Sequence, residues 1–359
     1  MGVRAAEPAR WLRPLAVATL VSNIAIVVTG GAVRLTGSGL GCPTWPRCTQ
    51  ESFVPHGELG MHAAIEFGNR MMTFVLAAVA VATWVAAMRA RPRRRSVRAL
   101  ATGLALGIPG QALIGGVTVL TDLNPWVVSL HLMLSMAMIA LAVLLVRLVH
   151  EERRVYDEGR APPTATPGAD LRRSGRRGHT RVGGPTGSAG TSTPTLRVRV
   201  GLRRLAALVL TLTFAVLYLG TVVTGAGPHA GHLEATDLEG NQVFVVRNGL
   251  DPQVVSHVHA AFVYVLVALT VVTVVAAYRT SAPRDVRTAA LVLLAVELGQ
   301  GTVGIAQYLQ DLPVLLVGIH LLGAALLTAS ASWLLVSTRG AASAVPARQP
   351  LGAPTAVSP

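Results

Sequence analysis

The chain of 359 residues contains little charge, few aromatic residues and only two cysteines. Charged residues make up 13% of it and aromatic residues 4%, whereas 52% are hydrophobic and the mean hydropathy is +0.53. This composition is far too apolar for a soluble domain of this length, so the chain is predicted to be an integral membrane protein. The first apolar run also lacks a small-x-small cleavage site, and we therefore expect it to be a retained span rather than a signal peptide.

Lysine is absent, and the basic residues that give the chain its formal charge of +14 are all arginines. Such a charge suggests a nucleic-acid partner, but these arginines crowd into a few loops, so no nucleic-acid partner is expected. Most of them lie within residues 4–13, 89–98, 153–204 and 279–287. By the positive-inside rule these segments and both termini are predicted to be cytoplasmic, in a bacterial plasma membrane.

Apolar sequence is abundant, in eight runs of the roughly 20 residues that a bilayer requires. Backbone polar groups in lipid must be satisfied within the segment, so the runs are predicted to be helices and the protein all-α, with the lipid bilayer around it. The predicted spans are 15–33, 60–88, 98–120, 126–148, 203–225, 254–278, 286–308 and 313–337.

One stretch occurs twice. Residues 110–132, GQALIGGVTVLTDLNPWVVSLHL, return as residues 299–321, GQGTVGIAQYLQDLPVLLVGIHL, and His131 falls opposite His320. The repeat predicts two tandem parallel-repeat four-helix bundles. Spans one and five end in similar small-residue triplets, 29–31 and 224–226, and we interpret these triplets as equivalent.

The predicted organisation has five parts. They are a cytoplasmic tail (1–14), an N-terminal bundle (15–148), a disordered cytoplasmic linker rich in Arg, Pro and Gly (149–202), a C-terminal bundle (203–338) and a disordered cytoplasmic tail (339–359). The composition of the linker favours disorder, and its arginines favour contact with anionic lipid head groups.

Span six contains two histidines that face nearly opposite ways on a helix. His259 lies 20 residues before Arg279, as Asn69 lies 20 residues before Arg89, so His259 is the predicted partner of Asn69, and His257 is predicted to face the outer rim. His259 and His320 then lie at equal depth in one bundle. Facing imidazoles between helices can hold a haem iron from both sides. The alternative is two histidines hydrogen-bonded to backbone or serine.

The first bundle has Asn69 and His131 at the same two places, and therefore one iron ligand fewer. Glu66 lies on the same helical face as Asn69, where the second half has Ser256. A carboxylate at the edge of the hydrocarbon region costs free energy and is normally found there only as part of a functional site. His62 shares this face and is either a solvated cap or a site residue. One bundle is thus predicted to hold a haem permanently and the other to accept one loosely.

The only two cysteines lie in the first outer loop, in the segment GLGCPTWPRC. Cys42 and Cys48 are six residues apart in a compartment predicted to be oxidising. They form either a structural disulfide or a redox-active pair. The second half has no counterpart.

The loop TGGAVRLTGSGLGCPTWPRC, the segment IEFGNR and the paired histidines resemble the heme A synthase family, in its bacterial, actinobacterial-like branch, over 15–338 outside the linker. The resemblance implies an oxidoreductase that converts heme O to heme A, oxidising the C8 methyl to formyl by successive hydroxylations with water-derived oxygen, for terminal-oxidase assembly. It implies haem b ligated by His259 and His320, heme O ligated by His131, and Glu66 as the catalytic carboxylate.

Three further residues are candidate substrate contacts, namely Asn69, Arg70 and His62. The family usually has a second substrate-side histidine where this chain has Asn69. The second protein ligand needed for six-coordinate binding of the substrate iron is therefore absent from its usual place. We hypothesise that His62 supplies this ligand or binds a propionate. Further implied partners are a heme O-forming farnesyltransferase and an electron acceptor that the sequence does not identify.

Two other protein classes fit parts of the pattern. A di-haem b-type cytochrome that only transfers electrons would be favoured by histidine at all four ligand places, of which this chain has three. A transporter built from repeats would need spans broken at mid-membrane. Only residues 107–110, GIPG, in span three suggest such a break.

Overall fold

The computed structural model describes residues 11–55, 60–91, 93–160, 193–230, 234–236, 242–244 and 248–339. Within these residues, eight helices are long and apolar enough to cross a membrane. They are α1 (Leu12–Leu35), α2 (Gly60–Arg89), α3 (Arg95–Leu120), α4 (Pro125–Arg160), α5 (Thr193–Ala226), α6 (Pro252–Arg279), α7 (Arg284–Leu309) and α8 (Val314–Ser337). The predicted helical membrane fold is confirmed, and the protein is a multi-pass membrane protein.

Helices α4 and α5 extend beyond the predicted spans, into both ends of the segment 149–202 that was expected to be a disordered linker. In α4 the helix continues past its apolar run, where Arg147 Nε donates to Glu151 Oε1 at 2.9 Å, an i,i+4 pair that supports helix in polar sequence. The expectation of disorder is therefore wrong for the ends of that segment. Residues 161–192, most of the N-terminal tail and nearly all of the C-terminal tail lie outside the described residues.

The loop between α5 and α6 contains a short hairpin that the apolar pattern did not predict. Strands β1 (Glu234–Thr236) and β2 (Gln242–Phe244) pair antiparallel, with Ala235 opposite Val243. The hairpin lies at the same end of the molecule as the cysteine loop and leaves the helical class of the fold unchanged.

The helices pack as two rings of four. In the first half each helix contacts two others, in the order α1–α2–α3–α4–α1, and in the second half the order is α5–α6–α7–α8–α5. The halves meet through contacts of α1 and α4 with α8 and of α4 with α5. Helices α6 and α8 thus occupy opposite corners of the second ring, as α2 and α4 do in the first.

The two buried cores match position by position, as a duplication predicts. Residues of α1 and α2 match those of α5 and α6 at an offset of 190, and residues of α3 and α4 match those of α7 and α8 at 189. Examples are Leu12 and Leu202, Ala16 and Ala206, Leu76 and Leu266, Ala101 and Ala290, Leu104 and Leu293, and Leu145 and Leu334. The duplication itself stays an inference from the sequence.

The core register corrects one equivalence between the halves. At the α1–α5 offset, Gly30 corresponds to Gly220, so the matching of residues 29–31 with residues 224–226 is wrong by five residues. Both helices continue for more than a turn beyond this point, α1 to Leu35 and α5 to Ala226, so their ends match within one residue.

Helix α3 runs unbroken through Pro109. Proline removes one helical hydrogen bond, but a neighbouring helix can accommodate this loss within a membrane. The described part of the chain therefore offers no broken span of the kind that the transporter alternative requires.

The turns before α4 and α8 have the same backbone. Asp122 and Leu123 have φ of 50° and 58°, and Asp311 and Leu312 have φ of 56° and 58°. Left-handed conformation is uncommon for residues other than glycine, and two in succession require support from the surroundings. The Leu123 N–H donates to the Thr118 carbonyl at 2.7 Å, as the Leu312 N–H does to a carbonyl of α7 at 2.8 Å. These turns start α4 and α8 in the same way, so His131 and His320 lie equally far along their helices.

Candidate functional site

Three helical histidines each face a glycine of a neighbouring helix. A Cβ atom added to the glycine would lie 3.3–3.4 Å from the histidine Cε1 in every case. The pairs are His131 with Gly115, His259 with Gly220, and His320 with Gly304. Glycine therefore leaves the room that each imidazole ring occupies, and a larger side chain would displace the ring.

The Nδ1 atoms of His131, His259 and His320 are buried and have no hydrogen-bond partner. Buried polar atoms are nearly always paired, so three orphans at equivalent places need an explanation. A histidine that only stabilises the fold would donate to a backbone or serine oxygen, which was the alternative considered from the sequence. The unpaired Nδ1 atoms beside glycines fit residues that turn toward a bound group.

In the second bundle, His259 and His320 lie on α6 and α8, at opposite corners of the ring. Each lies about 10 Å along its helix from the loop end, at 1.5 Å per residue. The neighbouring His257 is exposed, which confirms that it faces away from the bundle. The second bundle therefore fits an iron porphyrin held between α6 and α8.

Gln111 and Gln300 secure the helices that carry two of these histidines. Gln300 Nε2 donates to the backbone carbonyl of His320 at 2.9 Å, and Gln111 Nε2 donates to that of His131 at 3.3 Å. Gly323 admits the Gln300 side chain, which a Cβ atom there would strike. The repeated Gln thus positions the repeated His in both bundles.

Asn69 occupies the fourth equivalent place. A Cβ atom on Gly30 would lie 4.0 Å from its amide atoms, so a glycine faces this residue as well. Thr29 Oγ1 donates to Asn69 Oδ1 at 2.8 Å and thereby engages the amide oxygen. The amide nitrogen has no lone pair to offer a metal, so His131 is the one imidazole at the two matched places of the first bundle.

Glu66 is only 4% exposed, and both of its carboxylate oxygens accept hydrogen bonds. Oε1 accepts from Arg70 Nη2 at 2.6 Å, and Oε2 accepts from the Cys42 backbone N–H at 2.7 Å. The carboxylate is therefore oriented by its own helix on one side and by the cysteine loop on the other. It lies one turn of α2 nearer the loop than Asn69.

The cysteine loop is closed by a disulfide between Cys42 and Cys48, with an S–S distance of 2.06 Å. The predicted disulfide is confirmed, and both cysteines are fully buried. Redox activity of the pair stays a prediction. Arg70 fastens this loop to α2, since its guanidinium also donates to the backbone carbonyls of Cys42, Thr44 and Arg47 at 3.0–3.2 Å.

His62 is exposed and lies at the loop rather than in the bundle. Its Nδ1 lies 3.0 Å from Ser38 Oγ. A Cβ atom on Gly41 would meet the His62 backbone at 2.5 Å, so the loop packs directly against this turn of α2. Of the three residues predicted to share a face, Glu66 and Asn69 are the two that the structure brings toward the interior.

Sequence reasoning missed one buried carboxyl group, Glu297 of α7. It is 3% exposed, and Thr270 Oγ1 of α6 donates to its Oε1 at 2.8 Å. The available signal was an acidic residue in the middle of an apolar span, the same signal that singled out Glu66.

Comparison with known proteins assigns the family. The family model COX15-CtaA, described as cytochrome oxidase assembly protein, matches residues 13–332 and so covers both bundles. The chain belongs to this family. The resemblance inferred from the motifs is thereby confirmed.

Individual curated proteins are similar to part of the chain. Proteins called heme A synthase from Lysinibacillus sphaericus and Listeria welshimeri are 33% and 30% identical to it over 149 residues. One from Bacillus mycoides is 29% identical over the same length. The matched region is 41% of this chain, and it spans about half the length of each relative, 47–48%.

Proposed function

We propose that the protein is a heme A synthase, an oxidoreductase that oxidises the C8 methyl of heme O to a formyl group and so supplies heme A for terminal oxidases. Membership of the COX15-CtaA family and similarity to heme A synthases support this proposal. The observation that carries it is the difference between two otherwise matched sites. One has two facing histidines, whereas the other has one histidine, an engaged amide and a buried carboxylate.

His259 and His320 are the residues that would hold haem b as a resident cofactor. They lie on helices at opposite corners of the second ring, each beside a glycine, and would hold the haem iron between α6 and α8. Bound there, haem b supplies one-electron transfer. Two protein ligands would also explain why this bundle retains its haem while the first bundle releases its own.

His131 would bind the iron of the substrate heme O from one side only. Asn69 is a poor replacement for the second ligand, because its amide nitrogen has no free lone pair and its oxygen already accepts a hydrogen bond from Thr29. Its Nδ2–H₂ group is left as a donor for the substrate. Single-sided ligation suits a substrate that must enter and leave. We keep His62 as a contact for a propionate near the loop, where its exposed ring lies.

The chemistry needs a carboxylate beside the reacting methyl. In the first hydroxylation a C–H bond breaks, a C–O bond forms to water oxygen, and two electrons and two protons leave. The second hydroxylation repeats this and gives a geminal diol, which loses water to form the formyl group. Positive charge develops on the carbon in each step, and Glu66 would stabilise that charge or accept the proton of the attacking water.

Arg70 acts in this proposal as a positioning residue. Its guanidinium holds Glu66 Oε1 and three loop carbonyls at once, so the carboxylate and the disulfide loop form one unit. Both oxygens of Glu66 then keep fixed directions, and its remaining lone pairs can face the substrate.

We infer a plasma-membrane protein with both termini cytoplasmic, so that the cysteine loop faces the outer side, where a disulfide is maintained. A farnesyltransferase that forms heme O would act before it, and an electron acceptor would receive the electrons.

The proposal is tested in membranes supplied with heme O, by a pyridine hemochrome spectrum of the purified protein and by chromatography of extracted haem. Glu66→Gln should keep haem b and abolish heme A, whereas Ser256→Ala, at the matched place of the other bundle, should change neither. His259→Ala should lose haem b, and the adjacent His257→Ala should retain it. Turnover by Glu66→Gln, or a colourless wild-type protein, would contradict the assignment.

A further inference from the structure

At one pair of matched positions the core of the first bundle is apolar and the core of the second bundle is polar. In the first bundle Ile108 and Ala80 are buried apolar residues, 4% and 2% exposed. At the offsets that align the rest of the two cores, the second bundle has Glu297 and Thr270 there, 3% and 0% exposed. At these two positions the bundle assigned to haem b therefore has a carboxyl group and a hydroxyl group where the other bundle has two apolar side chains.

The polar pair is incompletely satisfied. Thr270 Oγ1 donates to Glu297 Oε1 at 2.8 Å, while Glu297 Oε2 is buried and has no partner. An ionised carboxylate in such a place is very costly without a countercharge, and an intramembrane acid is commonly part of a proton pathway. The matched Ile108 demonstrates that packing alone does not require a carboxyl group here.

Glu297 lies on the same face of α7 as the residues that contact His320. Gln300, three residues on, donates to the His320 carbonyl, and Gly304, seven residues on, lies against its ring. At 1.5 Å per residue, Glu297 is about 10 Å from the level of the imidazole. It is thus near the haem ligands without contacting them.

Few other charges face this carboxyl group. Helix α7 packs against α6 and α8, and the one titratable side chain of α8 is His320, in its second turn. The titratable residues of α6 are His257, His259, Tyr264, Tyr278 and Arg279, of which His259 alone is not exposed. On α7 itself the others are Arg284, Asp285, Arg287 and Tyr308, all in its terminal turns. The iron is therefore the charge whose change Glu297 would sense.

We propose that Glu297, with Thr270, is a redox-linked proton site that takes up a proton when haem b is reduced and releases it on oxidation. The inference rests on the proposed binding of haem b. Reduction would remove one positive charge from a haem held at the level of the His320 imidazole, which lies about 10 Å from Glu297 along the helix axis. At an effective dielectric constant of about 20, this raises the proton affinity of the carboxyl group on the order of tenfold. The site would balance the charge of an electron that enters the low-dielectric bundle.

The test is the midpoint potential of haem b across the neutral pH range, in the full-length purified protein. If reduction of haem b raises the proton affinity of Glu297 tenfold, the wild-type midpoint potential should fall by about 59 mV in total as the pH rises. Glu297→Gln should remove this fall, and so should Glu297→Ile with Thr270→Ala, which installs the pair that packs in the first bundle. Asp285→Asn, an exposed acid on the same helix, should leave it intact.

A second measurement is the redox difference infrared spectrum, where a carboxyl band should appear in the wild type and vanish in Glu297→Gln. If both Glu297 variants bind haem b and keep the wild-type pH dependence, a propionate or another group accounts for it and the proposal is wrong. Heme A is assayed in the same membranes. If the Glu297 variants keep the wild-type pH dependence while heme A accumulates, the proton-site proposal is wrong but the proposed function is retained. If the purified protein contains no haem b, both proposals are wrong.

Discussion

The loop contacts of Arg70 lead to a quantitative prediction for the substitution Arg70→Gln. The Arg70 guanidinium joins Glu66 to three carbonyls of the disulfide loop. Its removal leaves the buried Glu66 carboxylate without its countercharge, a loss of about 3–5 kcal/mol for buried pairs. The Arg70 side chain is 19% exposed, so solvent screens part of the interaction and about 3 kcal/mol is the better figure.

Reduction of the disulfide reports this loss. Cys42 and Cys48 are fully buried, so a thiol reductant reaches them only when the loop opens. A loss of about 3 kcal/mol raises the open population roughly 100-fold, and the reduction rate by the same factor when opening is fast. Cysteine labelling followed by mass measurement gives the rate without interference, because the chain has no other cysteine.

Arg47→Gln is the matched control, because it removes the same charge, from the loop itself rather than from α2. The Arg47 guanidinium donates to the Gln50 carbonyl and lies over the Phe53 ring, away from Glu66. Its disulfide should be reduced nearly as slowly as that of the wild type. Equal rates for the two variants, or a wild-type rate for Arg70→Gln, would refute the reasoning that Arg70 holds the loop closed.

Two further predictions concern the haem sites. Asn69→His should add a second ligand to the first bundle, so that protein purified after heme O supply retains nearly two haems per chain instead of one in the pyridine hemochrome assay; an unchanged haem content would contradict the matching of Asn69 with His259. Gly304→Leu should displace the His320 ring and abolish haem b binding, whereas Gly301→Leu, where a Cβ would meet nothing within 4 Å, should not. Equal haem content in the two glycine variants would remove the proposed role of the glycine.

Much of the fold was predictable because the bilayer restricts the length, composition and secondary structure of a spanning segment. A span must be apolar, helical and about 20 residues long, so composition and run length alone identify eight helices. The errors lie where that constraint ends. Polar helix extends α4 to Arg160, the hairpin lies outside the membrane, and the end of α5 was matched to α1 by its small residues rather than by its core.

The candidate site was predictable where it depends on individual polar side chains whose burial in a membrane helix costs free energy. Glu66 and the histidines stand out because charge and imidazole are rare in apolar helices. The glycines beside the rings do not stand out, since glycine is common in membrane helices and only packing tells which one faces a histidine. Glu297 gave the same signal as Glu66 but has no motif around it.

The sequence by itself determined the eight spans, the matched places in the two halves and the identity of the one acid and three histidines on which the proposal depends, because membrane burial restricts which residues are tolerated. Only the tertiary structure decided which atoms meet. The contact of the Cys42 N–H with Glu66, the hold of Arg70 on the loop and the pairing of Thr270 with Glu297 join residues 24 to 28 positions apart. Such contacts depend on how neighbouring helices and loops pack, which the periodicity of a single helix does not specify.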